Sequence, residues 1–122
     1  MKLVECVPNF SEGRDMDIIK QITGIIEAVD GVTLMDVDPG KATNRTVVTF
    51  VGSPEPVMEA AFQAVRLAAD LIDMTRQRGE HPRFGATDVC PLVPVSGITM
   101  EETVAYARQL AERIGNEINI PV

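Results

Sequence analysis

Arg45-Thr46-Val47-Val48-Thr49-Phe50-Val51-Gly52-Ser53-Pro54-Glu55 is the stretch whose reading decides the fold. From Arg45 to Gly52 it is rich in β-branched and aromatic residues, which fit a pleated, half-buried surface, so it reads as a strand. Ser53-Pro54-Glu55 then opens a helix. A capping residue precedes a proline at the first helical position, and an acid follows where the helix dipole favours one. This helix is expected to run to about Met74. Val57, Ala61, Ala64, Val65, Ala68, Leu71 and Ile72 form its apolar face, and the alanines allow close approach to a sheet.

Working back from this strand–helix junction, residues 38–44 read as a loop and Val32 to Val37 as a strand. Residues 15–29 carry Ile18, Ile19, Ile22, Ile25, Ile26 and Val29 at helical spacing. Asp15 stands at the cap position and Gly31 follows the end. Gly24 costs a helix roughly 1 kcal/mol against alanine, which leads to the expectation of close packing there. Residues 2–7 read as a first strand, and Pro8 to Gly13 as a loop.

Working forward, Ala86 to Val95 is an apolar run interrupted by Pro91 and Pro94. Proline gives no donor to a ladder, so the run reads as an edge or bulged strand. Thr99-Met100-Glu101-Glu102 is a capping box. It opens a helix whose face is Val104, Ala105, Ala107, Leu110, Ala111, Ile114 and Ile118. The order is β-α-β-β-α-β-α. The class is therefore α/β (α+β), and the expected architecture a ferredoxin-like two-layer sandwich with a β-α-β-β-α-β core plus a C-terminal helix. The apolar end Ile120-Pro121-Val122 suggests a further strand or domain.

The chain has 122 residues, the size of one domain, and 45 % of them are hydrophobic, enough for one modest core. The net charge is −7 with Trp 0, Tyr 1 and Phe 4, which argues against nucleic acid as a partner. No apolar run approaches the roughly 20 residues of a membrane span. The N-terminus lacks the pattern of a signal peptide, so a cytoplasmic protein is expected. Cys6 and Cys90 fall in predicted strands and are expected to be reduced and buried. Neither a metal-ligand spacing nor a nucleotide motif is present.

Arg76-Gln77-Arg78-Gly79-Glu80-His81-Pro82-Arg83-Phe84 holds the sole histidine, among three arginines, in a segment broken by glycine and proline. The arginines favour the neutral imidazole and Glu80 the imidazolium. A neutral imidazole suits a general base, and guanidinium groups suit carboxylates. An ordinary solvated turn is the competing reading. Two further polar loops, one with Asn9, Ser11 and Glu12 and one with Asp38, Lys41, Thr43 and Asn44, stand beside strand ends. Turn chemistry accounts equally well for Ser11 and Asp38. Spacing alone leaves open whether the three loops converge.

Taken in order, several blocks resemble the glutamate formiminotransferases of the formimidoyltransferase-cyclodeaminase family. They are Val4 to Gly13, Asp36-Val37-Asp38, Asn44-Arg45-Thr46-Val47, Thr49 to Gly52 and Leu71 to Met74, with Gly79-Glu80-His81-Pro82-Arg83, Gly85-Ala86 and Asp88-Val89-Cys90-Pro91. The resemblance implies a folate-dependent transferase that moves a formimidoyl group between N-formimino-L-glutamate and tetrahydrofolate in histidine degradation. Tetrahydrofolate is the substrate so implied, while the missing motifs lead to the expectation of no metal and no nucleotide. Residues 1–122 would then be the N-terminal subdomain, with a C-terminal subdomain absent and a homodimer possible. His81 matches the family's catalytic histidine. Arg83, Arg45 and Lys41 are candidates for the carboxylates, and Asn9, Ser11, Asp38 and Asn44 for the polar pterin edge. Glu12 and Gly85 join them from the matching blocks. Two alternatives stand beside this one: an isolated, non-catalytic module for folding, dimerisation or partner binding, and an enzyme acting on 5-formyltetrahydrofolate.

Overall fold

A computed structural model describes residues 1–72 and 85–119. Among these residues the strands are β1 (Leu3–Cys6), β2 (Asn9–Phe10), β3 (Val32–Gly40), β4 (Arg45–Gly52), β5 (Thr87–Val89) and β6 (Leu92–Ser96). The helices are α1 (Met16–Glu27), α2 (Pro54–Leu71) and α3 (Met100–Ile118). The result is a mixed α/β fold with an antiparallel sheet.

The strand that opened the sequence analysis is the organiser of the sheet. One edge of β4 pairs with β3, from Val32↔Gly52 to Gly40↔Arg45. The other edge pairs in succession with β1 and β2. Outside these, β6 pairs with β1 and β5 with β2. Along β4, Thr46, Val48, Phe50 and Gly52 are buried while the residues between them are half-buried. This two-residue period is what a strand with one face on a core requires.

Two expected strands are broken where proline stands. The first was expected over 2–7 with a loop to follow. It stops at Cys6 and resumes at Asn9. Pro8 has no N–H for the ladder, yet its carbonyl accepts from Val48 N at 3.0 Å and keeps the chain on the sheet. The run 86–95 splits in the same way at Cys90-Pro91, where Val7 N still donates to Pro91 O at 3.2 Å. The order is thus ββαββαββα rather than β-α-β-β-α-β-α. β3 also runs three residues past Val37, because β4 offers partners as far back as Arg45.

The helix starts follow the local signals. The Asp15 side chain accepts from Asp17 N and Ile18 N, and both bonds of the Thr99–Glu102 capping box are present. Ser53 makes no side-chain cap bond, so Pro54 with its preset φ is the start signal there. α2 presents Val57, Ala60, Ala61, Phe62, Ala64, Val65 and Ala68 to the core. It packs between α1 and α3 and against β1 and β4. The alanines make that approach close. Arg113 of α3 stacks on the Phe62 ring at 3.7 Å and bonds Glu59 at 2.5 Å, so one side chain ties α3 to α2. Val104 and Ala105 are exposed, and Thr103, Leu110 and Ile114 are the buried side of α3. No helix among the described residues is long and apolar enough to cross a membrane.

Gly24 does not mediate close packing. A Cβ built there meets nothing within 4 Å. With a helical backbone and open space, the residue costs helix propensity and gains no contact. Gly24→Ala should therefore raise stability by about 0.5–1 kcal/mol. A higher urea midpoint at unchanged m-value is the expected result, and a lower midpoint would show that the site does need glycine.

Candidate functional site

The end of the sheet at Arg45 is where three loops meet. After β2, Ser11 N donates to Ala86 O at 2.8 Å and Ser11 Oγ to Gly85 O at 2.6 Å. Gly13 N donates to Asn44 Oδ1 at 2.9 Å, and Thr46 Oγ1 to Glu12 O at 2.5 Å. Arg14 Nε donates to Lys41 O at 2.8 Å. These bonds join the loop after β2 to the β3–β4 hairpin and to the segment that enters β5. Of the three polar loops, two are thus brought together by the tertiary structure, and the histidine loop lies outside the described residues.

Two backbone features make the meeting possible. Asn44 has φ 51°, in the left-handed region. Asparagine is among the few side-chain-bearing residues that enter this region readily. At Gly13 an added Cβ would lie 2.3 Å from Gly40 O, 2.6 Å from Arg45 N and 2.8 Å from Arg45 O. All three are backbone atoms, so only glycine fits between the hairpin strands.

Beside this junction lies an open cleft of about 290 Å³, lined by Asn9, Asp38, Gly40, Thr43, Arg45 and Val47. Its floor follows from register. Asn9 and Asp38 are the partners of Val47 on opposite edges of β4, so the three form one row across the sheet. Arg45 stands two residues back on the same face of β4 as Val47. Its Nη2 donates to Asn9 Oδ1 at 2.5 Å and lies 4.0 Å from Asp88 Oδ2. The guanidinium is thus held between a neutral amide oxygen and a largely buried carboxylate. Such a group presents donors in a planar fork that matches carboxylates. Asp38 supplies an acceptor across the cleft, so the lining can hold an anionic group and a hydrogen-bonding heterocycle edge side by side.

The candidate residues divide accordingly. Asn9, Asp38 and Arg45 line the cleft. Ser11 and Gly85 join two of the loops. Glu12 is buried, and its carboxylate accepts from Arg14 N and Asp15 N at 2.9 Å each, bracing the turn into α1. Asn44 is buried against Gly13. Lys41 is exposed at the hairpin tip. His81 and Arg83 lie outside the described residues. The structure brings Thr43 of the polar loop into the cleft and adds Gly40 and Val47 to it, with Asp88 behind Arg45. Val47 was legible only as a strand residue, and its face follows from the burial alternation of β4. Asp88 had only the weak signal of an acid inside an apolar edge run.

The chain matches the family described as the formiminotransferase domain, N-terminal subdomain, over residues 3–122. It is 57 % identical over 121 residues to a formimidoyltransferase-cyclodeaminase of Dictyostelium discoideum, covering 99 % of this chain and 22 % of that protein. It is 51 % identical over 122 residues to a glutamate formimidoyltransferase of Thermoplasma acidophilum, covering 100 % of this chain and 40 % of the relative. A glutamate formimidoyltransferase of Streptococcus pyogenes is 49 % identical over 121 residues, 99 % of this chain and 40 % of the relative. The chain therefore spans between about a fifth and two fifths of the length of these relatives.

Proposed function

The chain belongs to the formiminotransferase N-terminal subdomain family, and on that premise we propose that it forms one half of a folate-dependent glutamate formimidoyltransferase. The unit would move a formimidoyl group between N-formimino-L-glutamate and tetrahydrofolate, in histidine degradation. A C-terminal subdomain would supply the other wall of the cleft. Within this reading the fold is a ferredoxin-like two-layer sandwich, supported by the placement of β4 between β3 and the β1–β2 pair. The protein is taken as cytoplasmic, a reading supported by its two free thiols.

In the proposed reaction N5 of tetrahydrofolate attacks the amidine carbon of formiminoglutamate. A C–N bond forms, the carbon becomes tetrahedral, and N5 loses its proton to His81. The imidazolium then returns that proton to the departing glutamate nitrogen as the old C–N bond breaks. One residue serves both steps because the exchange is between two nitrogens of similar character. Arg45, steadied by Asn9 and Asp88, would hold a carboxylate of glutamate or of the folate tail. Asp38 and Asn9 would face the pterin edge. Lys41 and Arg83 are the further cationic candidates, and Ser11, Glu12, Asn44 and Gly85 shape the loops.

The observation that carries the proposal is the Asn9–Arg45–Asp38 cleft on the open face of the sheet. The test is titration calorimetry with folinic acid on this chain and on a protein carrying both subdomains. Binding is expected, and Arg45→Ala should weaken it by about 10- to 100-fold, the worth of an ionic hydrogen bond. Unchanged affinity in that variant would remove Arg45 from the site. The second reading is a non-catalytic module for folding, dimerisation or partner binding. It is the conclusion if neither the chain alone nor its mixture with a separate C-terminal subdomain turns over.

A further inference from the structure

The two cysteines take no part in the proposed transfer, yet they meet. Cys6 ends β1 and is fully buried, whereas Cys90 is half-buried in the break between β5 and β6. Their sulfurs are 3.7 Å apart. Residues 84 positions apart in sequence are brought together by the sheet. β1 pairs Cys6 with Leu92, and β2 pairs Asn9 with Val89. Carried through the gap, these registers put Cys90 diagonally across from Cys6 on the helix-facing side.

The surroundings leave room for the sulfurs to close. A disulfide needs an S–S distance of about 2.05 Å, so the contact must shorten by less than the width of an atom. Pro8 and Pro91 have already interrupted both ladders at this level, so fewer backbone bonds resist the adjustment. On the α3 side Cys90 borders an apolar cavity of about 130 Å³, with Ala107, Leu110, Ala111 and Ile114, in which its side chain can turn. That cavity admits a small reagent to Cys90 first. The hydrogen bond with Cys90, and then burial, raise the Cys6 pKa well above the ordinary thiol value. Cys6 therefore waits as a thiol at neutral pH.

We propose that Cys6 and Cys90 are a peroxide-oxidisable dithiol, which closes to an intramolecular disulfide across the broken edge of the sheet. In the first step the Cys90 sulfur gives up its proton and attacks a peroxide oxygen. An S–O bond forms, the O–O bond breaks, the departing hydroxide takes up that proton and leaves as water, and Cys90 becomes a sulfenic acid. In the second, the Cys6 sulfur attacks the Cys90 sulfur, loses its proton, and displaces the oxygen as water. The net change is two thiols and one hydrogen peroxide to one disulfide and two waters. The bridge pins the segment between β5 and β6 to β1, two residues from Asp88 and its contact with Arg45.

The test is treatment of this chain with hydrogen peroxide, followed by non-reducing peptide mapping. A Cys6–Cys90 linked peptide is expected, lighter by two hydrogens, lost on dithiothreitol and formed far faster in the folded chain than in urea. The oxidised form should melt about 5–10 °C higher, as a constraint on a long loop predicts. Cys6→Ala should stop at a Cys90 sulfenic acid that dimedone traps, while Cys90→Ala should leave Cys6 unreacted. Accumulation of sulfinic acid on Cys90 in the unsubstituted chain would overturn the proposal. So would two intact thiols after peroxide, or linkage no faster in the folded chain than in urea.

Discussion

His81→Ala, in a protein that carries both subdomains, should lose about 10²–10⁴-fold in turnover, with the affinity for folinic acid largely kept. That range is what a positioned acid–base residue typically contributes. The expected split between turnover and affinity follows from the division of labour in the proposed site. In that proposal the imidazole would handle the proton that leaves N5 and reaches the glutamate nitrogen. Arg45, Asn9 and Asp38, which line the cleft from β2, β3 and β4, would handle binding. Removing the base should therefore raise the barrier without emptying the cleft. Stopped-flow or steady-state assay of kcat, beside calorimetry of folinic acid, checks both halves. Turnover near that of the unsubstituted protein would sink the assignment of His81. A loss of affinity as large as the loss of rate would recast the residue as a binding group.

Phe50→Ala should cost about 3–5 kcal/mol, the usual range for removing a buried phenylalanine. A domain has only about 5–15 kcal/mol in total, so the variant is expected to be partly unfolded at 37 °C. Phe50 is fully buried on the middle of β4, opposite Cys6 on one side and Leu34 on the other. It thus touches the layer where both edges of β4 meet the helices. The loss of transfer free energy adds to the cavity left behind, because the backbone ladders on both sides hold the strand in place. Val51→Ala is the matched control. It is the next residue, on the opposite face and half-buried, and should cost about 1 kcal/mol or less. Chemical denaturation of the two variants checks the pair. Equal losses would contradict the assignment of faces along β4.

The elements were legible in the sequence to the extent that their signals were local. Arg45–Gly52 is dense enough in β-branched and aromatic residues that its bounds were read from composition alone. Asp15 and the Thr99–Glu102 box were read as caps because a cap is a matter of three or four consecutive residues. The breaks at Pro8 and Pro91 were half legible. Proline announced a disturbance, but only the sheet shows that β2 and β5 resume pairing beyond it. Gly24 was misread for the same reason. A glycine in a helix signals either close packing or nothing, and the neighbour that would decide is far away in sequence.

The candidate site divides along the same line. Single residue types pointed to His81, Arg45 and the polar loops, and a resemblance over ordered blocks gave them roles. By itself the sequence determined the three helices, the strand Arg45–Gly52 and the family, because propensity, capping and a two- or 3.6-residue period act between near neighbours. Tertiary structure alone decided that Asn9, Val47 and Asp38 form one row, that Asp88 backs Arg45, and that Cys6 reaches Cys90. Those pairings depend on the register of strands distant in the chain. Register is set by the summed burial of a whole sheet face, a quantity that no local stretch of residues contains.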